Sequence, residues 1–292
     1  MSAKQQIADM HRGQLNKNRL YVGDLDGESD VYQTCIGHVA VSTVADIEKP
    51  GPNEDSAAIV PVNGDGLVLM VADGVGGLPA AKRASNLAVQ TICDYLSNAD
   101  DEETRLRTAI LDGIEAANQV LLELGTGSAT TLALVETRQD YVRSYHVGDS
   151  SIWLCSQRGR LKLQTTPHSP IGFAVESGLL DESDALAHEE LNLISNAIGT
   201  TDMRIEISSE LPLAARDTVL IASDGLFDNL LETEIIDTIR KGPLSAAIQS
   251  LTELAAARMR EQQDDAPSKP DDFTAVLFRP DGKATSTRTG SS

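Results

Sequence analysis

Five acidic positions in this 292-residue chain stand apart, because each lies at the end of an apolar segment that is predicted to form a β-strand. They are Asn53-Glu54-Asp55 before SAAIVPV, Asp73 after GLVLMVA, Asp149 after YVRSYHV, Asp224 after TVLIAS, and Asp271-Asp272 before FTAVLF. Several carboxylates beside a low-dielectric core repel one another and raise their own pKa values unless a cation holds them. Hard divalent cations such as Mg²⁺ and Mn²⁺ prefer oxygen ligands, so the pattern indicates a metal site.

Glycine follows two of these aspartates, and it permits two interpretations. Gly74 after Asp73 allows close approach of the backbone, so its carbonyl group can also serve as a ligand. However, Asp-Gly is a common turn dipeptide, the chain contains six of them, and a plain turn is favoured for any one taken alone. The metal hypothesis therefore depends on the whole set of acids.

The overall charge excludes some functions without identifying one. Asp and Glu outnumber Lys and Arg by 44 to 24, which gives a formal net charge of −20. Binding to a phosphate backbone needs clustered Lys and Arg, and base stacking needs aromatic residues, which make up only 3% of the chain. We therefore expect no nucleic-acid partner. The charge itself fits either a solvated acidic surface or carboxylates that converge on metal ions.

Apolar segments and cysteines bear on the compartment. No run reaches the roughly 18 apolar residues of a membrane span, since Asp73 and Asp224 interrupt the two most apolar segments, and the N-terminus lacks a signal-peptide core. Cys35, Cys93 and Cys155 are odd in number, widely spaced and set among apolar neighbours, which predicts buried thiols in a reducing compartment. These features favour a cytoplasmic protein with no membrane partner.

The elements that must position the acids alternate between strands and helices. Strands are predicted at 36–44, 56–62, 66–72, 129–136, 141–147, 151–157, 160–165, 204–210, 218–223 and 273–278. The four runs from 129 to 165 are too closely spaced for crossover helices, which predicts an antiparallel meander. Amphipathic helices are predicted at about 79–97 and 103–124, with further helices at 232–240 and 244–262. Paired helices among antiparallel strands indicate an α+β layered fold.

The two ends of the chain differ from the middle. Residues 1–33 are polar without sustained periodicity, which predicts an N-terminal extension, and residues 281–292 are rich in Ser, Thr and Gly, which predicts a disordered tail. No linker divides the middle, so residues 34–280 are predicted to be a single domain.

Eight motifs occur in an order that resembles the metal-dependent Ser/Thr protein phosphatases of the protein phosphatase 2C-like family, in its bacterial form. They are PNEDS, VADGVGG, GSATT, HVGDSS, TTPHS, NAIGT, ASDGLFDNL and DDFTAV. The resemblance covers about residues 36–279, and the ordered combination is specific although each motif by itself is weak. It implies a four-layer sandwich, in which two antiparallel sheets pack face to face with helices on both outer sides.

The resemblance also implies a site with two Mn²⁺ or Mg²⁺ ions, or three, at one end of that sandwich. By this resemblance Asp73 would bridge two ions, the Gly74 carbonyl would bind the second, and Asp224 and Asp271 would hold the first. A water shared by two cations becomes a hydroxide near neutral pH and would attack phosphorus in line, with no covalent intermediate.

The remaining acids have narrower implied roles. Glu54 and Asp55 would act through metal-bound water, and with Asp73 they form the predicted catalytic group. Asp149 and Asp228 match the positions that hold a third ion in bacterial members. For Asp228 the alternative is an acid at the N-terminal end of a helix in FDNLLETE, and the two interpretations are equally favoured.

Some positions depart from the family pattern. Pro50 stands where many members have a phosphate-binding Arg, and the adjacent Lys49 is the candidate replacement, as a point charge without bidentate geometry. Val75 stands where some members have a general acid, so the proton for the leaving group must come from elsewhere. Ser151 and Asp272 stand where Arg and Asn are usual.

Substrate selection is expected to come from a flap at about 167–193 beside the cleft. Within it, His168 is favoured as a structural hydrogen-bonding residue, and His146 in its strand is favoured as a packed residue. The leading hypothesis is a cytoplasmic, monomeric signal-transduction enzyme that dephosphorylates phosphoserine and phosphothreonine proteins and opposes a Ser/Thr kinase. The alternative is a catalytically silent relative that binds a partner or a phosphoprotein through the same fold.

Overall fold

Two β-sheets pack face to face in the computed structural model, and helices cover their outer surfaces. The structure describes residues 11–23, 27–46, 51–62, 65–75, 80–98, 103–185, 188, 193–260 and 267–281. The predicted α+β four-layer sandwich is confirmed. Apart from one parallel pair of strands, the described strand pairs are antiparallel.

Each sheet is assembled from distant parts of the chain. The first sheet has the order β1 (His11–Gln14), β3 (Gly27–Gln33), β4 (Gly37–Val44), β14 (Phe273–Pro280), β13 (Thr218–Ala222), β9 (Ser151–Cys155) and β10 (Leu161–Gln164). The second sheet has the order β11 (Glu206–Ile207), β8 (Tyr141–Val147), β7 (Leu132–Arg138), β6 (Gly66–Asp73), β5 (Asp55–Val62) and β2 (Arg19–Tyr21), and β12 (Leu211–Pro212) pairs with β8.

Helices complete the outer layers. The described helices are α1 (Ala81–Ser97), α2 (Glu103–Leu124), α3 (Pro170–Glu176), α4 (Glu182–Ala185), α5 (Asp224–Phe227), α6 (Glu232–Ile239) and α7 (Leu244–Arg260). Helices α1 and α2 pack on the second sheet, and α5 to α7 pack on the first. Within the described residues, no helix is both long enough and apolar enough to cross a membrane.

Strand β6 shows why the sequences of the central strands are continuous runs of apolar residues. Leu67, Leu69 and Val71 face the cluster between the two sheets, whereas Val68 and Met70 face the cluster beneath α1 and α2. Side chains of a strand alternate between its two faces, and both faces are covered here. Such a strand carries no polar residue until it leaves the core, which places the first carboxylate, Asp73, at its end.

The predicted four-stranded meander over residues 129–165 is wrong. Strands β7 and β8 form a hairpin in the second sheet, and β9 and β10 form a hairpin in the first. The chain crosses between the sheets at Gly148, which has a φ of 102° that favours glycine. Both β8 and β9 are largely buried, so their residue types do not reveal which sheet each one joins. The crossing places Asp149 between the sheets.

The N-terminal extension predicted for residues 1–33 also needs correction. Strand β2 pairs with β5, and β3 pairs with β4 over seven residues, so this segment contributes to both sheets. Tyr21 and Tyr32 are buried, and both hydroxyl groups donate hydrogen bonds to the buried Asp30. The buried residues of this segment include polar groups and have polar neighbours in the sequence, so the segment shows no apolar pattern that would predict its strands. Residues 1–10, and the predicted tail from residue 282, lie outside the described residues.

The cysteines match their prediction in part. Cys93 and Cys155 are buried and free, as expected, but Cys35 is exposed. Cys35 lies in the turn before β4. Its apolar neighbour Ile36 is buried in the core, whereas the Cys35 side chain remains exposed.

Candidate metal centre

The acids predicted from strand ends converge at one end of the sandwich. Asp55 and Asp73 are directly paired residues on the neighbouring strands β5 and β6. Burial raises the pKa of Asp73 well above its ordinary value, and the charges of nearby carboxylates raise it further. In decreasing order of effect these carboxylates belong to Asp55, Asp224, Asp149 and Asp271. The structure therefore brings together acids that lie up to about 200 positions apart in the chain, as the sequence predicts.

Asp55 begins β5 and is almost completely buried. Its backbone N–H donates to Oδ1 of Asn53 at 2.9 Å, and its Oδ2 accepts a hydrogen bond from Ser223 Oγ at 2.7 Å. Its other carboxylate oxygen, Oδ1, is buried and accepts no hydrogen bond from the described residues. Burial, followed by the charge of Asp272, raises the pKa of Asp55 well above its ordinary value.

Asp73 is held by its backbone. Its N–H donates to Thr131 Oγ1 at 2.9 Å, and its carbonyl oxygen accepts from Thr131 N at 2.8 Å and from Thr130 Oγ1 at 2.7 Å. These threonines are the Thr-Thr of the GSATT motif. The motif thus fixes the end of β6 without needing to touch a metal ion itself.

Gly74 lies against the N-terminus of α1. A Cβ atom at this position would be 2.4 Å from the carbonyl oxygen of Ala81 and 3.0 Å from that of Glu54, which is too close for any side chain. Its N–H donates to the same Glu54 oxygen at 3.1 Å. Glycine is therefore required for the close approach that joins Asp73 and Glu54 in one site.

Asp224 and Asp228 lie at the two ends of the short helix α5. Asp224 is its first residue, whereas Asp228 is its C-cap and is buried, so Asp228 is not an acid at the start of a helix. That alternative is wrong, because the next helix begins only at Glu232. Burial, followed by the charge of Asp224, raises the pKa of Asp228 to about 7, so the two carboxylates at the ends of α5 lie close to each other.

Lys269, which belongs to none of the sequence motifs, joins these acids. Lys269 Nζ lies 2.7 Å from Asp224 Oδ2, 2.6 Å from Asp228 Oδ2 and 3.7 Å from Asp271 Oδ2. Burial by itself lowers the pKa of Lys269, but the charges of Asp224 and Asp228 outweigh this effect and raise the pKa above its ordinary value. A single lysine between acidic stretches (DDAPSKPDD) gave no signal of this role.

Asp149 supplies a second unsatisfied carboxylate oxygen. Its Oδ1 is buried and, among the described residues, has no hydrogen-bond partner. Burial, followed by the charges of Asp224 and Asp228, raises the pKa of Asp149 to about 8. Buried oxygens without donors and a surplus of negative charge fit a hard divalent cation, which takes oxygen ligands and offsets the repulsion.

Asp272 has a structural role where the family pattern has Asn. Its Oδ1 accepts from Asp46 N at 2.9 Å, and its Oδ2 accepts from Glu54 N at 2.8 Å. A carboxylate offers two acceptor oxygens, whereas an amide offers only one. The second aspartate of the DD pair therefore positions Glu54. Lys49 and Pro50 lie outside the described residues.

His146, His168 and Glu206 form a second group with the composition of a metal site. His168 Nδ1 accepts from Gly148 N at 3.1 Å and lies 2.9 Å from Asn196 Nδ2, and the Asn196 amide is oriented by two hydrogen bonds with Arg204. The proton of neutral His168 is therefore on Nε2, which faces Glu206 at 3.1 Å and has no lone pair for a metal.

These contacts make His168 the structural hydrogen-bonding residue that the sequence favoured. His146 is completely buried against the His168 ring, with ring centroids 4.2 Å apart. Burial, followed by the proximity of His168, lowers the pKa of His146 to about 3, so it is a neutral packed residue.

A cavity of about 400 Å³ opens beside the acids. Asp149, Asp224 and Asp228 are part of its lining, and the flap helix α3 forms one wall. The rings of Trp153 and Phe227, 5.0 Å apart, contribute apolar surface. The predicted flap is described at 167–185, 188 and 193, and its remaining residues lie outside the description.

Replacing Asp149 by Asn is expected to stabilise the protein in EDTA, increasingly so with pH. The Asp149 carboxyl group has a pKa near 8 in the folded state and near 4 in the unfolded state. The folded protein therefore loses stability as the pH rises between these values, because it must then hold a buried negative charge. Asparagine avoids this loss. Thermal unfolding should show a Tm difference that is small at about pH 5 and largest above about pH 8. A difference independent of pH would contradict the assignment.

Comparison with known proteins agrees with this geometry. The family described as Protein phosphatase 2C matches residues 45–269. The serine/threonine phosphatase stp of Listeria welshimeri is 30% identical over 200 residues, which are 64% of this chain and 77% of that protein. The S. agalactiae serine/threonine phosphatase structure has a TM-score of 0.70 and 27% identity, over 82% of this chain and 99% of that one.

A further solved structure has a similar fold. The catalytic domain of the serine threonine protein phosphatase PstP, in complex with two manganese ions, has a TM-score of 0.66 and 23% identity, over 84% of this chain and 99% of that one. At this identity the likeness establishes the fold. The family match, the fold and the clustered acids together lead to one conclusion: the chain belongs to the protein phosphatase 2C family and is an enzyme of the protein phosphatase class.

Proposed function

We propose that this protein is a metal-dependent serine/threonine phosphatase that hydrolyses phosphoserine and phosphothreonine in proteins. The observation that carries the proposal is the convergence of Asp55, Asp73, Asp149, Asp224 and Asp271, whose mutual repulsion needs a cation. The named relatives are serine/threonine phosphatases, which supports the choice of substrate.

Four residues are proposed to hold two Mn²⁺ or Mg²⁺ ions. Asp73 would bridge them, the Gly74 carbonyl would bind one, and Asp224 and Asp271 would bind the other. Ions bound there would supply an activated water as the nucleophile and would offset charge on the phosphoryl oxygens. Support comes from the buried, unsatisfied oxygens beside Asp73 and from the manganese complex of PstP.

The other acids orient solvent and the site. Asp55 and Glu54 would accept hydrogen bonds from water in the site, with Ser223 orienting Asp55 and Asp272 orienting Glu54. The bond from phosphorus to the serine or threonine oxygen breaks, and that oxygen takes its proton from water, since Val75 cannot donate one.

The two buried cysteines do not compete as nucleophiles. Burial raises the pKa of Cys93 to about 12 and that of Cys155 to about 11, so both remain protonated thiols near neutral pH. Neither is followed by the Arg of a cysteine-phosphatase loop. Direct attack by water is therefore the mechanism that these residues favour.

Two kinds of substrate contact are proposed. Lys49 would bind the substrate phosphate as a point charge in place of the usual Arg. The flap would select the protein around the phosphorylated residue, because its helix α3 forms a wall of the cavity that opens on Asp149 and Asp228. Apolar lining from Trp153 and Phe227 suits an apolar side chain of such a protein.

The biological setting follows from the reaction. A phosphatase of phosphoserine and phosphothreonine consumes the product of a Ser/Thr kinase, so we propose that a kinase opposes it in signal transduction. Free thiols at Cys35, Cys93 and Cys155 agree with a reducing cytoplasm. We propose that the enzyme acts there as a monomer.

The test is hydrolysis of p-nitrophenyl phosphate and of a phosphothreonine peptide by metal-stripped protein, with Mn²⁺, with Mg²⁺ and with EDTA. Turnover is expected only with a divalent cation. Phosphate should be released without the accumulation of phosphate covalently bound to the protein. Iodoacetamide serves as the control, since alkylation of the exposed Cys35 should leave turnover unchanged. Absence of metal-dependent turnover would contradict the proposal and favour a silent binding module.

A further inference from the structure

Lys269 is built into the acid cluster. Asn229, which is completely buried, clamps its backbone, because Lys269 N donates to Asn229 Oδ1 at 2.8 Å and Asn229 Nδ2 donates to Lys269 O at 2.8 Å. The same Nδ2 also donates to Gly225 O at 3.0 Å in α5. Helix α5 and Lys269 are thus held together, which fixes the base of the lysine side chain beside the two acids of that helix.

The ammonium group lies where a cation would otherwise be needed. Its two shortest contacts, 2.7 Å and 2.6 Å, are to Asp224 Oδ2 and Asp228 Oδ2, and both carboxylates are largely buried. The charge of Lys269 also reaches Asp149, where it opposes the effect of Asp224 and Asp228 on the pKa. One lysine therefore offsets charge at Asp149 and at Asp228, the two acids matched to a third ion.

We propose that Lys269 takes the place of the third divalent cation, so that this chain binds two ions and fills the third position with its own ammonium group. The inference rests on the metal site proposed above, but its test counts bound ions and does not depend on turnover. An ammonium group 2.6 Å from Asp228 Oδ2 occupies that ligand atom and repels a divalent cation at the Asp228 carboxylate.

The carboxylates at the proposed third position and those around Asp73 differ in their hydrogen-bond donors. Asp55 Oδ1, beside Asp73, is buried without a hydrogen-bond donor among the described residues, whereas Lys269 donates to Oδ2 of both Asp228 and Asp224. A divalent ion beside Asp73, with its bound water, would satisfy an oxygen that no described residue satisfies. A divalent ion at Asp228 would have to displace Lys269, whose charge would then be buried without its partners.

The test is a manganese titration of metal-stripped protein, with free Mn²⁺ measured by its electron paramagnetic resonance signal. The wild type is expected to bind two ions per chain. Lys269→Met, which keeps the length and removes the charge, is expected to bind three, the third at least about tenfold more tightly than any third ion in the wild type. Adding Asp228→Asn to Lys269→Met should remove that ion again.

Controls separate this role from a general effect of charge. Lys269→Arg keeps the charge and should still bind two ions. Lys162→Met removes an equal charge from an ion pair with Asp217, outside the acid cluster, and should also bind two. Three ions on the wild type, an unchanged count in folded Lys269→Met, or a third ion that survives Asp228→Asn would each overturn the proposal. The wild-type count decides even if Lys269→Met does not fold.

Discussion

Asp73→Asn is expected to lower kcat on a phosphothreonine peptide by at least about a thousandfold, because the residue proposed to bridge both ions loses its charge. It should also abolish the rise in Tm that Mn²⁺ gives to the metal-stripped wild type. Asparagine retains one oxygen, but it offers neither the charge nor the two acceptor oxygens that a bridge between cations requires.

The same substitution should have the opposite effect in EDTA. Burial and four neighbouring carboxylates raise the pKa of Asp73, so ionised Asp73 destabilises the metal-free fold. A neutral asparagine at this position removes that repulsion, and the Tm in EDTA should rise above the wild-type value near neutral pH. Function and metal-free stability are therefore expected to move in opposite directions.

Parallel kinetics and thermal unfolding, with Mn²⁺ and with EDTA, check both effects. Asp202→Asn provides the matched control, since it removes one negative charge from an exposed position and should change neither turnover nor the Mn²⁺ shift. If Asp73→Asn retained a wild-type Mn²⁺ shift, Asp73 would not be the bridging ligand. If its Tm in EDTA fell, the repulsion assigned to the cluster would be wrong.

Gly74→Ala is expected to destabilise the protein by about 1–3 kcal/mol and to weaken Mn²⁺ binding at least about tenfold. The added Cβ would be 2.4 Å from the Ala81 carbonyl oxygen, which belongs to the backbone and cannot rotate away. Relief requires the end of β6 or the start of α1 to move. Either shift disturbs the position of Glu54, because its carbonyl oxygen accepts hydrogen bonds from Gly74 N and from Ser85 Oγ of α1.

Urea unfolding in EDTA measures the first effect, and a manganese titration measures the second. Gly51→Ala is the control, because a Cβ atom at Gly51 meets nothing within 4 Å. It should leave both quantities unchanged. Wild-type manganese affinity in Gly74→Ala would mean that the close approach at Gly74 does not position the ligands.

Much of the fold was predictable because each layer leaves a period in the sequence. Strands covered on both faces give unbroken apolar runs, as in β6, and helices covered on one face give an apolar stripe, as in α1. Strand β3, which lies between the edge strand β1 and β4, is different. Strand β3 buries Asp30 by pairing it with two tyrosine hydroxyls, and such a polar network has no period to recognise.

The acids were predictable for a related reason. A charged residue that interrupts an apolar run must lie where the strand leaves the core, and Asp73, Asp149 and Asp224 all follow this rule. The prediction that these acids lie together in one site also depended on the order of the family motifs. Lys269 fits neither pattern, because its side chain reaches the cluster from a loop whose position is set by Asn229, 40 residues away in the chain.

The sequence by itself determined the layers, the family and the placement of the acids at strand ends, because residue types at the ends of apolar runs reflect local burial. Only the tertiary structure decided which sheet each hairpin joins, that Asp228 ends a helix instead of starting one, and that Lys269 contacts the acids. The physical reason is that charge repulsion and ion pairing depend on distances between segments far apart in the chain, which no local pattern of residues encodes.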